Sequence, residues 1–100
     1  MPVLLLNAQD EVAFDNKSGF YYTQVDGDGK GKRVFRHQLG TLQEQDVLIY
    51  EETNPEFSVT VSNSLSGDFV IVNIESNFKP KTNEIWLRNS SSPKEKFWLV

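Results

Sequence analysis

The chain has 100 residues, 38% of them hydrophobic and 24% charged, with a net charge of −4 and no cysteine. That length allows at most one small domain, and the composition excludes an intrinsically disordered segment. The negative balance argues against partners rich in phosphate or anionic lipid, so neither nucleic acid nor a membrane is an expected partner, and there is no disulfide framework.

The N-terminal run Val3-Leu4-Leu5-Leu6 is too short to span a bilayer and has no basic region before it, so it is neither an anchor nor a secretory signal. With no targeting signal and no cysteine, a cytoplasmic location is expected. From there the chain alternates between short apolar, β-branched or aromatic runs and clusters of Gly, Asn, Asp, Ser or Pro. No window sustains helical spacing. Eight strands are predicted: Glu11–Asn16, Phe20–Val25, Arg33–Leu39, Val47–Glu51, Phe57–Ser62, Phe69–Glu75, Glu84–Asn89 and Lys96–Val100. In Phe57–Ser62 apolar and hydroxylic residues alternate, which predicts one buried face and one wet face. The run Phe69-Val70-Ile71-Val72 is apolar on both faces and reads as an inner strand.

The order of elements repeats. Ser18-Gly19-Phe20 returns as Ser66-Gly67-Asp68-Phe69, Val34-Phe35 as Ile85-Trp86, and Val47-Leu48 as Phe97-Trp98. Two four-stranded antiparallel meanders, over residues 11–52 and 57–100, have the period of β-propeller blades. A closed propeller needs at least about four blades, and the last predicted strand ends on Phe97-Trp98-Leu99-Val100. A piece of a larger all-β domain is therefore expected.

Catalytic chemistry is hard to place on these residues. A hydrolase nucleophile elbow, G-x-S-x-G, is absent; Ser66-Gly67 lacks the preceding glycine, and Ser90-Ser91-Ser92-Pro93 reads as a loop. The single histidine, His37, stands beside Arg36, a neighbour that disfavours the imidazolium a general base must form; it reads as structural or hydrogen-bonding. Asp26-Gly27-Asp28-Gly29-Lys30-Gly31 resembles the start of a calcium loop, but Lys30 and His37 fall where the fifth and twelfth positions need oxygen ligands. A glycine-rich hairpin tip explains it. Glu51 and Glu52 point to opposite faces of a strand and cannot share a proton; they, and Glu44 with Asp46, read as solvated edges. Lys30, Lys32, Arg33 and Arg36 read as a solvated hairpin rim. The rings of Phe20, Tyr21, Tyr22, Phe35, Phe57, Phe69, Trp86 and Trp98 read as packing between blades rather than a stacking platform for single strands. No catalytic, cofactor-binding or metal-binding residue is assigned, and no cofactor is expected.

A longer pattern carries a resemblance. Asp15-Asn16-Lys17-Ser18-Gly19-Phe20-Tyr21-Tyr22, the corner Arg36-His37-Gln38-Leu39-Gly40-Thr41 and Asp46-Val47-Leu48-Ile49-Tyr50-Glu51-Glu52 resemble the propeller of the oligopeptidase B branch of the prolyl oligopeptidase family of serine peptidases. The stretch Phe57–Phe69 and Thr82-Asn83-Glu84-Ile85 resemble the next blade. The similarity covers about residues 11 to 90. Asn77-Phe78-Lys79-Pro80 looks like added loop length, and the first ten residues depart from the pattern. The resemblance implies a parent with an α/β-hydrolase domain carrying Ser, Asp and His, and a seven-bladed propeller that admits only short peptides to that site, with cleavage after Lys or Arg. The competing reading is a stand-alone β-sandwich that binds a peptide or glycan. Two blades cut from a ring leave apolar faces bare, so self-association is expected, with Phe69–Val72, Trp86 and Trp98 meeting water.

Overall fold

A computed structural model describes residues 8–25, 32–76 and 82–100. The Val3–Leu6 run, the glycine-rich loop 26–31 and the loop 77–80 lie outside the described residues. The first four strands are β1 (Ala8–Phe14), β2 (Gly19–Val25), β3 (Lys32–Gln38) and β4 (Val47–Glu52), and the last four are β5 (Phe57–Asn63), β6 (Phe69–Ser76), β7 (Asn83–Asn89) and β8 (Trp98–Leu99). They form two antiparallel four-stranded sheets, ordered β1-β2-β3-β4 and β5-β6-β7-β8. Each sheet is a simple meander, and no strand crosses from one to the other.

The two sheets pack face to face. Ala13, Tyr21 and Val34 on the first meet Val59, Val61, Val70, Val72 and Ile74 on the second, with Ile49, Tyr50, Phe57, Trp86 and Phe97 closing the margins. The alternation in β5 has the expected effect: Val59 and Val61 are buried, while Thr60 and Ser62 face water. β6 is an inner strand, paired with β5 and β7 along its length. Its even positions Val70, Val72 and Ile74 are buried between the sheets, so only Phe69 and Ile71 of its apolar run point outward. Trp86, expected in water, is instead half-buried against this core. Trp98 is 43% exposed and packs edge-on against Phe69 on the outer side.

Two predicted elements shift for identifiable reasons. β1 stops at Phe14 because the Asp15 side chain takes over the turn: its Oδ1 accepts the amides of Lys17 at 2.9 Å and Gly19 at 3.1 Å. Ser18 then adopts φ 61°, the left-handed conformation that Gly67 (φ 79°) supplies in the second sheet. The link between β3 and β4 contains a single 3-10 turn, Gln43–Gln45, closed by Gln45 accepting the Leu42 amide. It escaped the periodicity reading because one turn is too short to show a period.

The pairing register refines the repeat. Tyr22 pairs with Phe35, and Val72 pairs with Trp86. With Phe35 equivalent to Trp86, Phe20 is therefore the counterpart of Val70, one residue beyond the Phe69 that the glycine turns suggested. His37 becomes the counterpart of Arg88, and Val47, opposite Arg36, that of Trp98, opposite Leu87.

Core burial sets the expected cost of truncation. Val61→Ala removes two buried methyl groups at a position 1% exposed, and should cost about 2 kcal/mol through transfer and cavity terms. Leu65→Ala, at a fully exposed turn position, should change stability by no more than about 0.5 kcal/mol. Urea unfolding of both variants at constant m-value checks the pair; equal costs would contradict this placement of the core.

Candidate functional site

Polar contacts stitch the two sheets together around the apolar core. Asn63 of β5 reaches Phe14 of β1 twice, accepting its amide at 3.0 Å and donating to its carbonyl at 2.7 Å. The side chain thus completes backbone pairing that an edge strand would otherwise leave open. The Asn16 amide donates to the Ser90 carbonyl at 2.8 Å, joining the β1–β2 turn to the end of β7. Lys32 Nζ donates to the Phe57 carbonyl at 2.6 Å.

Arg88 on β7 lies inside this interface, 8% exposed. Its Nη1 donates to the Tyr21 hydroxyl at 3.1 Å, and its guanidinium lies 4.4 Å from the centre of the Phe97 ring. Tyr21 and Phe97 meet edge to face at 6.1 Å. Arg88 lines two neighbouring cavities of about 810 and 420 Å³ that share Val47 and Ile49 of β4. The larger is bordered by Lys17, Arg36 and Lys94. The smaller has Trp86 and Phe97 in its walls.

Arg36 points to the same interface and is bound to Asp15, whose side chain is fully buried, at 2.7 Å. The expected solvated rim is therefore corrected. Arg36 is half-buried in an ion pair and Arg33 is paired with Glu51 at 2.7 Å, while Lys30 lies outside the described residues. Gly19 makes the Asp15–Arg36 geometry possible, because a β-carbon there would fall on the Arg36 guanidinium. Burial works against ionisation of Asp15. The Arg36 side chain and the Lys17 and Gly19 amides outweigh it, holding the carboxyl below its ordinary 3.8.

The opposite face of the first sheet carries a second polar group. His37 Nδ1 is 2.6 Å from Asp46 Oδ1, and the Tyr22 hydroxyl donates to Asp46 Oδ2. Both partners of the His37–Asp46 pair are buried, and Phe20 packs 5.1 Å from the His37 ring. This corrects two expectations. Asp46 is a buried acceptor rather than a solvated edge, although Glu44 is exposed. His37 does not face Arg36, because neighbours in a strand point to opposite sides; Asp46 is its partner instead. Burial, then the hydrogen bond and charge of Asp46, push the Tyr22 phenol well above the usual tyrosine range, so it is held neutral and is a poor nucleophile. Tyr50, half-buried and donating to Glu52 at 2.8 Å, is pushed up to about 12, by burial and then by that hydrogen bond. Among the described residues no cluster of three or more His, Asp or Glu is arranged to hold a metal ion, and no helix is long and apolar enough to cross a membrane.

Comparison with known proteins matches this geometry to one family. The profile of the prolyl oligopeptidase N-terminal β-propeller domain matches residues 8–100. The chain is 36% identical over 80 residues to Protease 2 of Moraxella lacunata, and 31% identical over 78 residues to dipeptidyl aminopeptidase BI of Pseudoxanthomonas mexicana. These alignments cover 80% and 76% of the chain but only 11% of either relative. Oligopeptidase B from Trypanosoma brucei, solved in a closed form with covalently bound antipain, superposes with a TM-score of 0.75 at 26% identity. That match covers 93% of this chain and 13% of the solved one.

The buried ion pair makes an acid-sensitive element. A carboxyl whose folded value is depressed contributes stability above its unfolded value, and loses it as pH falls through the folded one. Stability should therefore drop as pH falls below 3.8, and the drop should shrink in Asp15→Asn. Gly19→Ala, which displaces Arg36, should cost about 1–3 kcal/mol at neutral pH, and much less in an Arg36→Ala background. Urea midpoints across pH 2.5–6 test this series, and an unchanged acid slope in Asp15→Asn would count against the pairing.

Proposed function

The chain belongs to the prolyl oligopeptidase family, as part of its N-terminal β-propeller domain, and on that premise we propose that it is a non-catalytic portion of a serine peptidase's propeller. In this reading residues 11–52 and 57–100 are two successive blades. The intact cytoplasmic protein carries a Ser-Asp-His site on an α/β-hydrolase domain elsewhere in its chain, and the propeller limits entry to short peptides. The observation that carries it is the pair of meanders stacked face to face, each with strands in sequential order. A β-sandwich of the Greek-key type would pass strands between its sheets, and none does here. The residues fit a supporting role. The only histidine is locked to Asp46 against a neutral phenol, and the nucleophile elbow is absent from the sequence.

The isolated chain should therefore not turn over a dibasic fluorogenic peptide. Turnover that persists after contaminating proteases are removed would overturn the non-catalytic reading. In the intact protein, deleting these residues should admit longer polypeptides to cleavage, measured as digestion of an unfolded protein alongside an unchanged dipeptide substrate.

The reading also predicts self-association of the isolated chain. On the outer side of the first sheet Val12, Phe14 and Leu48 are exposed, and on that of the second Ile85 and Trp98. In a ring of blades such faces are covered by neighbours; in the fragment they would be covered by another copy. At about 25 cal/mol per Å² the apolar gain outweighs what a net charge of −4 opposes at moderate salt. Sedimentation near 100 µM should show a dimer or larger species, and a folded 11.4 kDa monomer would contradict this.

A further inference from the structure

We propose that the cleft between the two sheets is a binding site for a small organic carboxylate, with Arg88 as the residue that receives its charge. The site is independent of the peptidase reading above, since it rests on the geometry of these two sheets alone. Arg88 is more than nine-tenths buried, and its Nε has no hydrogen-bond partner. Its polar contact is the hydroxyl of Tyr21, and its remaining stacking partner is the ring of Phe97. No carboxylate of the described residues forms an ion pair with it. A guanidinium withdrawn from water without a counter-charge is costly, and an anion that reaches it in a low-dielectric cleft is bound strongly.

The two blades show what is missing. His37, the counterpart of Arg88 in the first sheet, faces the buried carboxylate of Asp46. By the pairing register, the position of Asp46 in the second sheet is held by Phe97. A buried nitrogen-bearing side chain persists at this position and its acidic partner does not. Among the described residues no carboxylate takes that place, and an incoming ligand can supply one.

The walls specify the rest of the ligand. Lys17 and Lys94 border the larger cavity with Glu95 as the only acid of its lining, so an overall acidic chain presents a locally positive mouth. The smaller cavity is lined by Val72, Ile74, Trp86 and Phe97, which suit an apolar body, together with Lys96, a further cation. A carboxylate head on Arg88 with an alkyl or aryl tail against Trp86 satisfies both halves. Inorganic anions satisfy only the first.

Octanoate, octanamide, acetate and inorganic phosphate distinguish the possibilities, read by fluorescence of Trp86 in a Trp98→Phe background and by the amide shifts of the chain. Octanoate should bind at least tenfold more tightly than octanamide, acetate or phosphate. Arg88→Met should weaken octanoate at least tenfold without affecting octanamide, and Lys94→Gln, at the exposed mouth, should weaken octanoate two- to threefold. If Arg88→Met does not fold, the wild-type ratio of octanoate to octanamide together with Lys94→Gln decides the matter. Equal binding of octanoate and octanamide would reduce the cleft to an apolar crevice and overturn the proposal. Phosphate binding as tightly as octanoate would overturn it as well, by making the site one for inorganic anions, and so would octanoate shifts confined to residues on the outer faces.

Discussion

Tyr21 links the two sheets at the centre of the core. Its ring is fully buried between the sheets, and its hydroxyl accepts from Arg88 of the opposite sheet. Its cross-strand neighbour Arg36 is tied to Asp15, which in turn shapes the β1–β2 turn. The constraint is geometric. A buried tyrosine must also find hydrogen bonds for its polar end, and here the hydroxyl meets Arg36 of its own sheet and Arg88 of the second. Docking of the second sheet buries the ring and adds the Arg88 contact together. The apolar surfaces of Val59, Val61, Val70, Val72 and Ile74 supply most of the driving force, because area removed from water scales in a way that single hydrogen bonds do not. The polar contacts fix where that surface sits. Asn63 bound to both backbone groups of Phe14 sets the position of β5 along β1, much as register is set within a sheet.

Much of this was legible from the residues because strand alternation is a local property. Phe57–Ser62 and Phe69–Glu75 declare their faces within six or seven residues, and the structure follows them. Propeller blades are built from consecutive strands, so local order also gave the sheet topology and the repeat. What failed were statements about partners far apart in sequence. Arg36 and Asp15 are adjacent in space but lie on different strands, and a cluster of basic residues read along the chain looks solvated when one member is half-buried in an ion pair. Asp46 looked like half of an exposed acidic pair with Glu44. The 3-10 turn between Gln43 and Gln45 instead delivers it beside His37 on the face of β3 turned away from the second sheet, where the pair is buried. Trp86 was misplaced for a related reason: its neighbour Ile85 points to the outer face, and without the register nothing in the sequence says which of the two is inside.

The sheet interface was the least legible part. Arg88 gives no signal in sequence, since a basic residue between Leu87 and Asn89 near a strand end is ordinarily solvent-facing. A signal existed only in comparison of the two halves. Once Phe35 is aligned with Trp86, His37 falls on Arg88, and two buried titratable residues at one repeated position stand out. Such alignment needs the correct offset. The glycine turns that announce the repeat have different lengths in the two halves, which displaces it by one residue on β2 and β6. A one-residue error in a strand exchanges its inner and outer faces, and that is enough to hide the correspondence.

The divergence at this position follows from what each blade face must meet. The first sheet solves the burial of a polar side chain internally: His37, Asp46 and Tyr22 come from three successive strand regions of the same sheet and satisfy one another. Whatever packs on that face needs to offer only apolar atoms. The second sheet meets it only in part across the interface: Arg88 donates to Tyr21 of the first sheet and lies over the ring of Phe97, while its Nε has no partner among the described residues. Internal satisfaction makes a face indifferent to its neighbour, whereas shared satisfaction ties two particular faces together, because separating them strands a buried guanidinium. A repeat protein needs both. Identical apolar blade faces would allow blades to pair in the wrong order, and one polar contact available to a single neighbour removes that degeneracy. Tyr21 and Arg88 mark these two sheets as partners in that sense, while the exposed outer faces carry Phe14, Leu48, Ile85 and Trp98, which would accept any apolar surface of suitable shape.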